Sequence, residues 1–139
     1  MEKLVKDSYK MFINGEWRNA SHGETVKTYC PFNGEFLSEF PDASQEDVDL
    51  AVKSAKEAFK TFKKTTPKQR AEMLNKIADI IIENKEFLAK METLDNGKPI
   101  RETMAVDVSF AADHFRYFAG CILAEEGQAT VLDEKFLSL

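Results

Sequence analysis

Hydrophobic and polar positions alternate at first along this chain and then recur with a helical period. Near the start, Met11-Phe12-Ile13-Asn14-Gly15-Glu16-Trp17-Arg18 sets Asn-Gly between short apolar or aromatic runs. Both central residues of a two-residue hairpin turn need positive φ, which Asn and Gly tolerate, so a β-hairpin is predicted here. Thr25 to Cys30 reads as a further strand, Pro31-Phe32-Asn33-Gly34 as a turn, and Glu35 to Phe40 as a strand closed by Pro41. These segments predict a small antiparallel unit.

The period then changes. Val48, Ala51, Val52, Ala55, Phe59 and Phe62 fall on one helical stripe. Ser44 and Asp47, three apart, form a capping box, so the first helix runs from about Ser44 to Phe62. Thr66-Pro67 starts a second helix, with Thr66 as cap and Pro67 where its missing N–H costs nothing. That helix is predicted to be long, carrying Met73, Leu74, Ile77, Ala78, Ile81, Leu88, Met91 and Leu94, and to end at Asn96-Gly97. Pro99 starts a third, whose stripe of Val108, Ala111, Ala112, Phe115, Phe118 and Ala119 reads as core, with Asp107, Asp113 and Arg116 facing water. From Gly127 the pattern turns extended and stops at Lys135-Phe136-Leu137-Ser138-Leu139. An apolar strand left without a neighbour invites association, so this end reads as the place where a longer chain is cut.

Composition narrows the function classes. The chain has 139 residues, enough for one domain by size, with a hydrophobic fraction of 43% and a charged fraction of 31%. Nineteen Lys and Arg against twenty-four Asp and Glu give a net charge of -5. That is the wrong sign for neutralising phosphates, so nucleic acid is not an expected partner. No apolar run approaches the ~20 residues of a membrane span and no signal peptide precedes the chain, so no membrane association and a cytoplasmic location are expected. Cys30 and Cys121 lie far apart, outside any CxxC or Cys-His spacing, and read as reduced, buried thiols.

No self-sufficient catalytic site is visible: there is no glycine-rich phosphate loop, helical His-x-x-x-His pair or GxSxG elbow. His22 sits in a polar stretch and reads as solvated, and His114 reads as structural. Asp113-His114 is a weak dyad, because helix neighbours point about 100° apart. The most distinctive stretch is Glu92-Thr93-Leu94-Asp95-Asn96-Gly97-Lys98-Pro99, a helix end, a glycine stop and a proline restart. Local physics accounts for its Asn, Gly and Pro. It does not require the Glu, Asp and Lys.

Glu92 to Pro99 resembles the ETLDNGKP signature of the aldehyde dehydrogenase superfamily. Phe12 to Trp17 is similar to that family's opening hairpin, Pro31 to Glu35 to its next turn, Ser44 to Phe59 to its first helix, and Arg116 to Gly120 to its RYYAG segment. The resemblance runs in order over residues 10–139 and implies about the first quarter of such an enzyme. The implied fold is an incomplete part of the α/β aldehyde dehydrogenase fold. An N-terminal β-hairpin and short antiparallel strands are followed by three helices and a C-terminal strand. Residues 1–127 are then part of the coenzyme-binding domain, and residues 128–139 the start of an oligomerisation arm that would join a homo-oligomer.

The resemblance further implies that the parent oxidises a small aldehyde to a carboxylic acid through a cysteine thiohemiacetal, with NAD or NADP as hydride acceptor. The family's catalytic Cys, general-base Glu, oxyanion-stabilising Asn and coenzyme loop lie beyond Leu139. The isolated chain is therefore expected to be inactive and to bind no coenzyme. Val106 and Phe110 match positions lining the aldehyde tunnel, with core packing as the alternative. Asp95, with the backbone near Thr28, matches a structural monovalent-cation site, with plain solvation as the alternative. Two other readings stand beside the fragment: a non-catalytic helical interaction module derived from this family, and a small acid–base enzyme built on Asp113 and His114.

Overall fold

The structure, a computed structural model, describes residues 4–127 and the backbone of residues 130–131 and 137–138. The predicted hairpin forms: β1 (Met11–Ile13) pairs antiparallel with β2 (Glu16–Arg18), with Phe12 opposite Trp17. Asn14 and Gly15 supply the two positive φ angles, 55° and 81°. The Phe12 and Trp17 rings lie 5.0 Å apart, the cross-strand aromatic contact that helps hold so short a ladder. β3 (Thr25–Tyr29) and β4 (Phe36–Pro41) form a second antiparallel pair, irregular between Thr28 and Tyr29. Its turn closes where Gly34 N–H donates to the Cys30 carbonyl at 2.8 Å. The segment before β1 runs alongside β4, with Tyr9 N–H donating to the Glu39 carbonyl and Glu39 N–H to that of Asp7.

α1 (Gln45–Phe62) starts as its capping box dictates. The Asp47 carboxylate accepts from the Ser44 amide and, from outside the helix, from the Ser21 amide, each at 3.0 Å. Asp47 is only 4% exposed. The Ser21 amide first, and then the Ser44 amide, hold its carboxyl below the ordinary carboxylate range. A folded-state pKa below the unfolded one stabilises fully above the unfolded value, and the contribution disappears as pH falls through the folded value. Asp47→Asn should therefore be less stable than the parent at neutral pH and lose less stability on acidification. Thermal melts from neutral to strongly acidic pH check this; an acid limb as steep in the variant as in the parent would remove the assignment.

The α1 stripe read as core is not covered. Val48, Val52, Ala55, Phe59 and Phe62 are exposed and only Ala51 is half-buried. The helix is tied down at its capped start, and Ser54 Oγ donates to Asn14 Oδ1 of the hairpin turn at 3.0 Å. The periodicity reported that this face wants an apolar partner, but not that the partner lies within these residues.

The predicted long second helix is two helices, α2 (Pro67–Glu83) and α3 (Lys85–Asn96), broken at Asn84. There the side-chain amide donates to the Ile80 carbonyl at 2.8 Å, alongside the backbone N–H of the same residue at 3.1 Å. This side-chain competition for a helical carbonyl turns the chain, with Asn84 at φ -104° and ψ 16°. The predicted third helix is also interrupted. A three-residue α4 (Ile100–Glu102) leads into a π-helical turn at Thr103–Asp107 and then α5 (Val108–Ala124).

α2 packs chiefly against α5. The buried residues there are small: Ala71 and Ala78 on α2, Ala112 and Ala119 on α5, each pair seven apart and so on one face. Of the α5 stripe, Val108, Ala112 and Ala119 are buried and Phe115 is half-buried, but Ala111 and Phe118 are exposed. Arg116 reaches Asp79 on α2 at 3.0 Å, an exposed ion pair worth at most about 1 kcal/mol. Beyond α5, the backbones of β5 (Thr130–Val131) and β6 (Leu137–Ser138) pair antiparallel. The rest of the predicted arm, residues 128–129, 132–136 and 139, lies outside the described residues.

Candidate functional site

The signature octet is the junction of the fold, and its residues outside the helix-stop logic each have a tertiary partner. Thr28 Oγ1 on β3 donates to Asp95 Oδ1 at the end of α3, 2.8 Å away across 67 positions of sequence. Thr93 Oγ1 pairs with Thr103 Oγ1 at 2.9 Å. Thr103, wholly buried, also donates to the carbonyls of Ala89 and Ile100 at 3.2 Å. Glu92 accepts from the Asn96 side chain at 3.3 Å.

Lys98 forms an ion pair with Asp107 of the π-helical turn. The Asp107 carboxylate beside it, through its hydrogen bond, raises the Lys98 ammonium above its ordinary pKa, with desolvation opposing. Asp107, read from the sequence as water-facing, is thus half-buried, with its Oδ2 shielded from solvent. Thr103, Lys98 and Asp107 escaped the sequence reading. The only signal was a threonine in an apolar helical stretch and a charge in the octet without a local reason.

Gly97 ends α3 with φ 77° and its N–H donating to the Thr93 carbonyl at 3.0 Å. A Cβ here would rest 3.4 Å from Pro31 Cβ, an ordinary contact, so the cost of Gly97→Ala is the left-handed backbone alone. That cost is about 1 kcal/mol. A urea titration should show it as a lowered midpoint at unchanged slope, whereas no midpoint shift would mean that the turn relaxes freely.

A cavity of about 390 Å³ opens beside the Thr28–Asp95 pair, lined by Val5, Tyr9, Leu37, Phe40, Met91 and Leu94 among others. The two residues assigned to a cation site are therefore brought together at the mouth of an apolar hollow. Val106 and Phe110 share the outer side of the π-helical turn and the first turn of α5, and are 49% and 60% exposed. They are not core packing among the described residues. Phe110 borders an open depression with Asp113, His114, Arg116, Tyr117 and Phe118.

Asp113 and His114 do not face each other. Asp113 turns to Arg116 at 3.5 Å, while His114 Nδ1 lies 2.8 Å from the Phe110 carbonyl with its ring edge-on to Phe110. The Nδ1 proton is thereby committed to the backbone, which leaves no base–carboxylate pair. His22 is exposed and accepts from the Glu24 amide at 3.1 Å. Cys30 is buried, but Cys121 is exposed, because it stands on a face of α5 away from α2. Among the described residues no three His, Cys, Asp or Glu side chains gather as a multivalent metal would require, and no helix is long and apolar enough to cross a membrane.

Residues 17–139 match the aldehyde dehydrogenase family. This chain belongs to the aldehyde dehydrogenase family. It is 46% identical over 129 residues to a long-chain-aldehyde dehydrogenase of Acinetobacter, a match covering 93% of this chain and 26% of that protein. An aldehyde dehydrogenase of Rhodospirillum rubrum is 43% identical with the same coverage. The NAD+ complex of an aldehyde dehydrogenase from Bacillus cereus superposes with a TM-score of 0.92 at 38% identity, over 98% of this chain and 28% of that one. The chain thus spans about a quarter of the length of these relatives, at their amino-terminal end. The family's α/β arrangement of short antiparallel strands and helices is present in that part.

Proposed function

We propose that these residues are the amino-terminal part of an NAD- or NADP-dependent aldehyde dehydrogenase. The reaction, oxidation of a small aldehyde to a carboxylic acid, would be carried by the parent chain. One observation carries the reading: the chain matches aldehyde dehydrogenases along 93% of its own length but only 26% of theirs. The coenzyme follows from the NAD+-bound relative from Bacillus cereus. The catalytic Cys, Glu and Asn of the family fall outside the matched part, and neither Cys30 nor Cys121 has a basic partner to make a thiolate.

In the parent, Val106 and Phe110 line the aldehyde tunnel, a role supported by their exposure on one side of a rigidly held helix. Thr28 and Asp95 frame a monovalent-cation site, supported by their meeting at 2.8 Å with the second carboxylate oxygen free of this bond. Residues 1–127 belong to the coenzyme-binding domain, and residues 128–139 begin the arm through which subunits form a homo-oligomer in the cytoplasm. The sheet-like pairing of Thr130–Val131 with Leu137–Ser138 suits such an arm.

The purified chain should give no NADH or NADPH from any aldehyde. Turnover by residues 1–139 alone would overturn the reading. The mass of the protein made in the native cell tests the parent directly: a species several times heavier than 15.8 kDa is expected.

A further inference from the structure

The chain exposes 10967 Å². A self-contained monomer of 15.8 kDa exposes about 7,300 Å², so the observed surface is half as much again. The excess is apolar and belongs to several elements at once: Trp17 on the hairpin, Phe59 and Phe62 on α1, Ile77 on α2, and Phe110 and Tyr117 on α5 are all 40% exposed or more. A two-fold contact between copies uses one patch and removes about 800 Å² from each partner, or roughly 1,000–2,500 Å² in large obligate dimers. The excess, on the order of 3,700 Å², is beyond that and spread over too many elements. Its occupant is therefore a large polypeptide that wraps several faces. The relatives have about three quarters of their length beyond the part matched here.

We infer that this chain, as a separate polypeptide, docks non-covalently with the remaining three quarters of an aldehyde dehydrogenase subunit, through the uncovered faces of α1 and α5. The inference rests on the family-fragment reading above. The docking faces are preformed: the backbone superposes on that of the full-length Bacillus cereus enzyme with a TM-score of 0.92. Little ordering then opposes association.

The test is co-expression of tagged residues 1–139 with the complementary downstream part of the Acinetobacter relative, followed by native mass spectrometry of the purified tagged protein. Equal numbers of the two polypeptides are expected in the complex. Phe59→Asp combined with Phe110→Asp, both at exposed sites, should cut recovery of the downstream part at least tenfold while circular dichroism shows the chain still folded. Recovery of the tagged chain alone, or only with copies of itself, overturns the inference, as does undiminished recovery with the folded double variant. A covalent fusion of the same two pieces separates the levels. An active fusion whose separate pieces do not associate sinks the docking and leaves the family reading standing. A folded fusion without aldehyde oxidation sinks the reading and the docking with it.

Discussion

Ala112→Leu is expected to destabilise the chain by about 3 kcal/mol, at the upper end of what overpacking a tight contact costs. Ala112 is fully buried on α5, the helix that α2 packs against most extensively, and Ala71 and Ala78 are buried on α2. Alanines at these positions allow the two helix backbones to approach closely, and a leucine has no rotamer that avoids the facing helix without separating the pair. The effect is large relative to the total because this pair is the principal helix–helix contact and few other side chains are buried. Chemical denaturation of the two proteins side by side measures it. A midpoint within error of the parent would mean that α2 and α5 do not meet at Ala112.

Thr103→Val is expected to cost about 2 kcal/mol, although valine has nearly the same shape. The buried hydroxyl donates to a carbonyl of α3 or of α4 and meets Thr93 Oγ1, so its removal leaves polar atoms of both segments without a buried partner. Thr103→Ser keeps the hydroxyl and loses one methyl, worth about 1 kcal/mol. The order parent, Ser variant, Val variant in melting temperature is the discriminating result. A valine variant as stable as the serine variant would mean that the hydroxyl network contributes nothing beyond packing. Hydrogen exchange at the Val108 amide, which donates to the Thr103 carbonyl across the π-helical turn, should accelerate in the valine variant.

The places where sequence and structure differ share a cause. Asn14-Gly15, Ser44-Asp47, Thr66-Pro67 and Gly97 act through neighbours within a few residues, so a linear reading finds hairpin, helix starts and helix stop. The break at Asn84 and the π-helical turn at Thr103–Asp107 depend on which side chain wins a carbonyl or an ion partner. Asp95 and Lys98, unexplained by local chemistry, turned out to hold Thr28 and Asp107. The resemblance pointed to Thr28 and Asp95 as neighbours, but periodicity could not have joined residues so far apart.

By itself, the sequence determined the order and boundaries of most elements, the capping chemistry, and membership of the aldehyde dehydrogenase family. It also placed both cysteines outside any activating local motif. Local propensity and short-range hydrogen bonds are encoded within a turn or two of chain, which is why these were legible. Only the tertiary structure decided which apolar stripes are covered. Ala112 and Ala119 meet α2, while the stripe of α1 and the Val106–Phe110 side of α5 meet nothing among the described residues. Periodicity reports that a face is apolar, whereas burial depends on whether a second surface is there to exclude water from it.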